Sequence, residues 1–384
     1  MKRTPLLCAL FALLLSPLIK GQVADSADVY LLTCAAGDAT YSIYGHTALR
    51  INVRGSHFDK VYNWGIFDFS TPNFAFRFAK GRLDYMLGAY GYDDFLNEYN
   101  TEGRAVWSQK LNLTTEEKEK LFALINENLK PENIKYRYDF FFDNCSTRIR
   151  DILAASASDT IIFPVKEKKK TFRQLIDPNQ KVLPWIDFGA DLLLGLQADR
   201  KATPADEMFL PAYLRDNLTA SVIVHDNNRE PIVEEPVTIL DLPPASTVAR
   251  TWMPQLVFYV VLLFVLLVTF VLGLPTLGRR TDFILYIIYS VLALLLIFTN
   301  FFSEHDALHF NLLILGINPL IPVLLGFIVA GKKAIKLSRL ALVISVLWIP
   351  VSLIAGQGIN PALIPLVLII MVRLFKHCEF GKKL

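Results

Sequence analysis

Tyr136 to Asp151 reads YRYDFFFDNCSTRIRD: an aromatic, strand-like run that stops at Asp143-Asn144 and gives way to a cysteine and a helix. Asp143 or Asn144 is a good N-cap, and Ile149, Ile152 and Leu153 recur at the spacing of one apolar helical face. Cys145 is therefore placed at a helix N-terminus, where the aligned peptide dipoles favour the thiolate, the form that attacks carbonyls. A buried structural cysteine is the plain alternative. What separates the two readings is whether a base accompanies the sulfur.

Working back toward the N-terminus, YSIYGHTALRINV (Tyr41 to Val53) alternates as a strand, with His46, Ala48 and Arg50 on one face and Thr47, Leu49 and Ile51 on the other. Gly55-Ser56 makes a turn, and DKVYNWGIFDF (Asp59 to Phe69) reads as the partner strand of a hairpin. That pairing puts Asn63 on the strand beside His46. Asp28 to Thr33 and Ala105 to Leu113 are further strands, and Thr114 or Thr115 caps a helix with an acidic start, Glu116-Glu117. Acyl transfer by a thiol needs a nucleophile, a base, a group orienting that base and donors for the oxyanion. Cys145, His46 and Asn63 fit the first three roles, with Asp59 and His57 as rivals of Asn63. Backbone N–H groups around Cys145 and Ser146 are candidate oxyanion donors. Tyr44, Arg50, Arg148 and His305 are candidate substrate-binding residues; Arg148 has Asp143 as an alternative partner.

The chain of 384 residues has room for two domains, and its apolar excess lies almost wholly after Gln255. A formal net charge of +3 is too small for a nucleic-acid footprint. Residues 1–24 read as a secretory signal, with Lys2 and Arg3 ahead of the apolar run Leu6 to Ile19; an uncleaved anchor is the alternative. Residues 25–225 form the exported domain and 226–254, with Pro231, Pro236, Pro243 and Pro244, a linker or extended edge. Residues 255–384 form an all-α membrane domain with spans near 255–274, 283–302, 311–330, 340–355 and 361–374. The basic connections, Leu277 to Arg280, Lys332 to Arg339 and the tail from Arg373, alternate with non-basic ones. By the positive-inside rule the N-terminal domain is exported and the C-terminus cytoplasmic. Asn73 to Leu87, aromatic and basic, reads as core plus a solvated face, or as a surface resting on lipid headgroups. Glu304, His305, Asp306 and His309 lie in an outer loop, as a hydrogen-bonded cap or a weak metal motif. Of the four cysteines, only Cys34 and Cys145 fall in the exported domain, where a disulfide between them is the main structural alternative.

YSIYGHTALRI, VYNWGIFDF and DFFFDNCSTRI, in that order, together with FGADLLLG and FLPAYL, resemble the bacterial Lnb-type lipoprotein N-acyltransferases over nearly the whole chain after the signal. The resemblance implies an α+β exported domain of permuted papain-like (NlpC/P60-related) type, an order shared with lecithin–retinol acyltransferases. It also implies acyl transfer from a phospholipid, through a cysteine thioester, to the N-terminal amine of a diacylated lipoprotein, with His46 and Cys145 catalytic and no cofactor or metal. Asn63 carries over less securely, because the third position varies among papain-like enzymes. Two other classes use the same residues differently: a membrane-anchored cysteine peptidase or amidase acting on cell-wall peptides, and a non-enzymatic envelope receptor or assembly factor with a Cys34–Cys145 disulfide.

Overall fold

Alternating apolar residues build the sheet that carries the site. A computed structural model describes residues 23–67, 70–164, 168–225, 228–243 and 252–379, so the expected signal segment lies outside the described residues except at its last positions. Strands β1 (Ala27–Cys34), β2 (His46–Val53), β3 (Asp59–Ile66), β4 (Asp84–Gly91), β5 (Val106–Lys110), β6 (Lys135–Arg137) and β10 (Val237–Leu240) form one antiparallel sheet in the order β10-β5-β1-β2-β3-β4-β6. A second, three-stranded sheet joins β7 (Ile161–Ile162), β8 (Val222–His225) and β9 (Asn228–Pro231). The proline-rich stretch after His225 is thus more than a linker, since it supplies β9 and an edge strand of the main sheet.

Both faces of the main sheet are covered, because its strands alternate between two apolar sets. Leu31, Leu49, Ile51, Tyr62 and Trp64 meet helices α2 (Thr115–Asn128) and α3 (Cys145–Ser156) through Leu121, Ile125, Ile149 and Leu153. Leu32, Ala48, Val61 and Val106 pack on the opposite side with Phe95 and Tyr99 of α1 (Tyr92–Thr101). Leu153 is 1 % exposed, so Leu153→Ala is worth about 2–5 kcal/mol and would loosen the helix that carries Cys145. The aromatic run before Cys145 is shorter as a strand than its composition suggests. Only Lys135–Arg137 pairs with β4, because the Asp139 carboxylate accepts from the N–H groups of Phe141 and Phe142 and curls the chain.

The chain divides into two compact units. Among the described residues, the first runs to Phe74, resumes as Arg82–Lys169 and returns from Ala202; the second holds Ala75–Gly81, Lys170–Lys201 and everything from Trp252. Three helices of the second unit are long and apolar enough to cross a membrane: Met253–Val271, Pro275–Phe301 and Ile335–Ala355. The last of these starts earlier than the expected span from 340. The expected third span is instead broken, with helices Leu313–Gly316 and Leu320–Val329 separated at Asn318-Pro319, where Asn318 turns its amide to the Ala341 carbonyl and the Ser345 hydroxyl. Leu363–Glu379 is the last helix of the unit. Tyr286, Tyr289, Ala293, Leu296, Ile321, Trp348 and Ile370 form the core of this unit, and Val260, Leu263, Ile284, Ile288 and Val343 stand exposed around it. Arg373 and Asp282 meet at 2.6 Å between two of these helices, so that each buried charge is paired.

In the loop from Ser303 to His309, His305 Nε2 pairs with the Phe78 carbonyl at 2.7 Å and His309 Nε2 with the Ser303 carbonyl at 2.9 Å. These histidines therefore cap the loop. The only described cluster of metal-ligating type is Asp177, Asp187 and Asp191 in the same unit. Arg173 and Asn360 already bind it, the latter at 3.1 Å to Asp187 and 2.9 Å to Asp191. Burial and the neighbouring Asp191 push the Asp187 carboxyl up to about 6.

Candidate active site

The Cys145 position is made by Asn144. Its Oδ1 accepts from the N–H groups of Ser146 at 2.8 Å and Thr147 at 3.0 Å, and the Thr147 hydroxyl closes the box on the Asn144 N–H at 2.7 Å. The Asn144 amide also donates to the carbonyls of Phe140 and Phe209, both at 2.8 Å, which ties the helix start to two loops. The Ser146 N–H, one of the two expected oxyanion donors, is engaged inside this cap.

His46 opens β2, and the residue before it explains its placement. Gly45 has φ +83°, and a Cβ there would lie 2.7 Å from the Cys34 carbonyl oxygen, so only glycine fits. Nε2 of His46 pairs with Oδ1 of Asn63 at 2.8 Å, which leaves Nδ1 for the sulfur. Asn63 is 2 % exposed, on the strand paired with β2. Its rivals are elsewhere: Asp59 is bound by Arg50 at 2.6 Å, and His57 is exposed in the β2–β3 turn. The β3–β4 register shifts between Trp64 and Ile66, and the residue there, Gly65, has φ +99°, a backbone conformation that favours glycine; its Cα faces Cys145, with an ordinary contact distance of 3.7 Å from a Cβ built on it to Cys145 Cβ.

The pair polarises itself. Burial would raise the Cys145 thiol, but the His46 imidazolium, its hydrogen bond, the Thr47 backbone N–H and the Ser146 hydroxyl 3.9 Å away bring it below its ordinary value. Burial would lower His46, and the Cys145 thiolate with the Asn63 hydrogen bond more than reverses that. Both shifts favour the thiolate–imidazolium form of the pair. Cys34 is a free thiol, as is Cys145, so no disulfide blocks the sulfur.

A cleft of about 270 Å³ opens beside the pair, lined by His46 and Asn63 together with Tyr41, Ile66, Glu98, Tyr99, Glu102 and Arg104. Arg104 and Tyr99 escaped the sequence reading because nothing near them in the chain marks them; they arrive through the pairing of β1 with β5 and the packing of α1. The other candidates in this unit have partners of their own. Arg50 is closed on Asp59 and lies 3.4 Å over the Tyr92 ring. Arg148 pairs with Asp143 and lies 4.0 Å over the Tyr136 ring. Tyr44 packs on Phe140 at 4.6 Å between ring centres, and His305 belongs to the second unit.

Two family models match this chain. One, described as the Lnb N-terminal periplasmic domain, covers residues 21–177; the other, described as the Lnb transmembrane domain, covers residues 243–383. No curated protein and no solved structure shows significant similarity.

Proposed function

The chain belongs to the Lnb-type family, as a membrane protein with a periplasmic N-terminal domain, and from that premise we propose that it is a cysteine-dependent lipoprotein N-acyltransferase of the inner membrane. The observation that carries the reading is the Cys145–His46–Asn63 arrangement, with the thiol at a capped helix start and the His46–Asn63 bond at 2.8 Å. The Cys145 thiolate attacks the carbonyl of a phospholipid acyl ester, and the Cys145 N–H steadies the oxyanion. As the C–O bond breaks, His46 gives its proton to the departing glycerol oxygen. A lysophospholipid leaves and a thioester remains. The α-amine of the N-terminal cysteine of a diacylated lipoprotein then attacks the thioester, His46 takes the amine proton, and the sulfur departs as thiolate. The exported domain is of permuted papain-like type. The shorter apolar helices after Leu313 complete five crossings, with the C-terminus cytoplasmic. Both substrates are membrane-held, which accounts for a Cys/His domain joined to apolar helices.

Cys145→Ala and His46→Ala, assayed on a diacylated lipopeptide with phospholipid vesicles, should each lose N-acylation and lysophospholipid release together. Undiminished N-acylation in both variants overturns the proposal. Release of cell-wall peptide fragments without lysophospholipid would assign the same residues to a peptidase.

A further inference from the structure

The cleft beside the Cys/His pair has a charge pattern that the acyl-transfer chemistry does not use. Arg104 is 6 % exposed; its Nε donates to the Ala35 carbonyl at 2.8 Å and its Nη1 to Glu102 at 2.6 Å, while Nη2 has no acceptor. Asn63 is in the same condition: its Oδ1 is taken by His46 and its buried Nδ2 has no acceptor. Both residues line the cleft. A buried donor without an acceptor is unfavourable. Two such donors on the wall of one cleft are accounted for when a ligand oxygen completes them. Facing the same space are two exposed carboxylates, Glu98, which accepts from the Tyr90 hydroxyl at 3.1 Å, and Glu102. A ligand carrying only negative charge would meet those acids unfavourably; one carrying a phosphate and an ammonium a few bonds apart satisfies both halves.

We infer that this cleft is a headgroup subsite for a zwitterionic phospholipid, with Arg104 Nη2 and Asn63 Nδ2 donating to phosphodiester oxygens and Glu98 receiving a primary ammonium. The inference rests on the acyltransferase reading and names the donor class for it. The test uses the full chain in vesicles of stated composition, phosphatidylethanolamine or phosphatidylglycerol in an otherwise constant matrix, and reads the acyl mass added to Cys145. A phosphate-free p-nitrophenyl ester serves as the second acyl donor. The wild type should acylate several-fold faster from phosphatidylethanolamine. Arg104→Gln should lower acylation from phospholipid, relative to the p-nitrophenyl ester, by roughly 10- to 100-fold through KM. Glu98→Gln should erase the headgroup preference, bringing the phosphatidylethanolamine rate down several-fold to that of phosphatidylglycerol; an unchanged preference overturns the ammonium half of the subsite. If the wild type acylates equally from both lipids, or Arg104→Gln lowers both donors in the same ratio, the subsite is wrong and the acyltransferase reading stands. No acylation of wild-type Cys145 by any phospholipid removes the acyltransferase reading and the subsite with it.

Discussion

Two thiols flank one histidine in this protein, and they are chemically opposite. Cys34 is the direct cross-strand partner of His46, so the two side chains share a sheet face. Cys145 reaches the same imidazole from a helix packed on the other face, because His46 is the first residue of its strand. Nearness to a base is therefore common to both. Cys34 is 2 % exposed among Leu32, Ala48, Val61 and Phe95, and burial drives its thiol well above the ordinary range despite Arg104 and the Tyr99 hydroxyl. Cys145 is half-buried, sits at a helix start and receives hydrogen bonds from His46, Thr47 and Ser146, which together outweigh burial. Reactivity follows from donors aimed at the sulfur. A neighbouring histidine alone does not confer it.

The largest effect should come from exchanging the two roles. Cys145→Ala is expected to reduce acyl transfer by a factor on the order of 10³ or more, since no second nucleophile replaces it. Intact-protein mass spectrometry after incubation with phospholipid should then show no acyl adduct on Cys34. An adduct there would break the contrast outright. Next in size is Asn63→Ala, which leaves the imidazole present but free to rotate; a loss on the order of 10² in kcat, with KM for the phosphate-free ester little changed, is expected from misplacement of the base. The pH dependence of iodoacetamide labelling then separates the thiols without any lipid. Because the Cys145 pKa is depressed, its thiolate fraction, and so its labelling rate, should rise at lower pH than for a free thiol. His46→Ala should move that midpoint upward, and Cys34 should stay unlabelled in the native protein. Turnover should fall on both sides of an optimum: at low pH as the sulfur is protonated, and at high pH as His46 passes its raised pKa and loses the proton the leaving group needs.

What the sequence disclosed was local. The Asn144 cap, the apolar face of α3 and the parity that groups His46 with Ala48 depend on residues within a few positions of each other, and the side chains stand where that spacing puts them. The His46–Asn63 pairing followed from a short hairpin. What stayed hidden was set by distant partners. Arg104 lies next to the cleft because β1 is inserted between β2 and β5, bringing the start of β5 to the Ala35 carbonyl, and no local pattern encodes that order. The aromatic stretch from Tyr136 misled for the opposite reason, since the Asp139 side chain captures two backbone N–H groups that a longer strand would need. Hydropathy likewise located the apolar segment around Leu320 but could not see the break at Asn318, whose amide is satisfied by Ala341 and Ser345, 23 and 27 positions further on.

The smallest expected effect belongs to Cys34, and it is the sharpest check on the contrast. Cys34→Ala removes one buried sulfur from a close-packed cluster whose other members are fixed by the sheet and α1. The loss of packing should lower stability by about 1 kcal/mol, read as a fall of a few degrees in the unfolding midpoint of the exported domain. Acyl transfer should stay within about twofold, because the His46 nitrogen facing sulfur is engaged by Cys145 and the other by Asn63. Cys34→Ser should be the more destabilising change, since a hydroxyl in that apolar setting needs a better partner than the thiol did. A tenfold loss of turnover in Cys34→Ala at unchanged stability would mean that the histidine is shared between the two sulfurs. The buried thiol would then have to be counted as part of the machinery that sets the proton on His46.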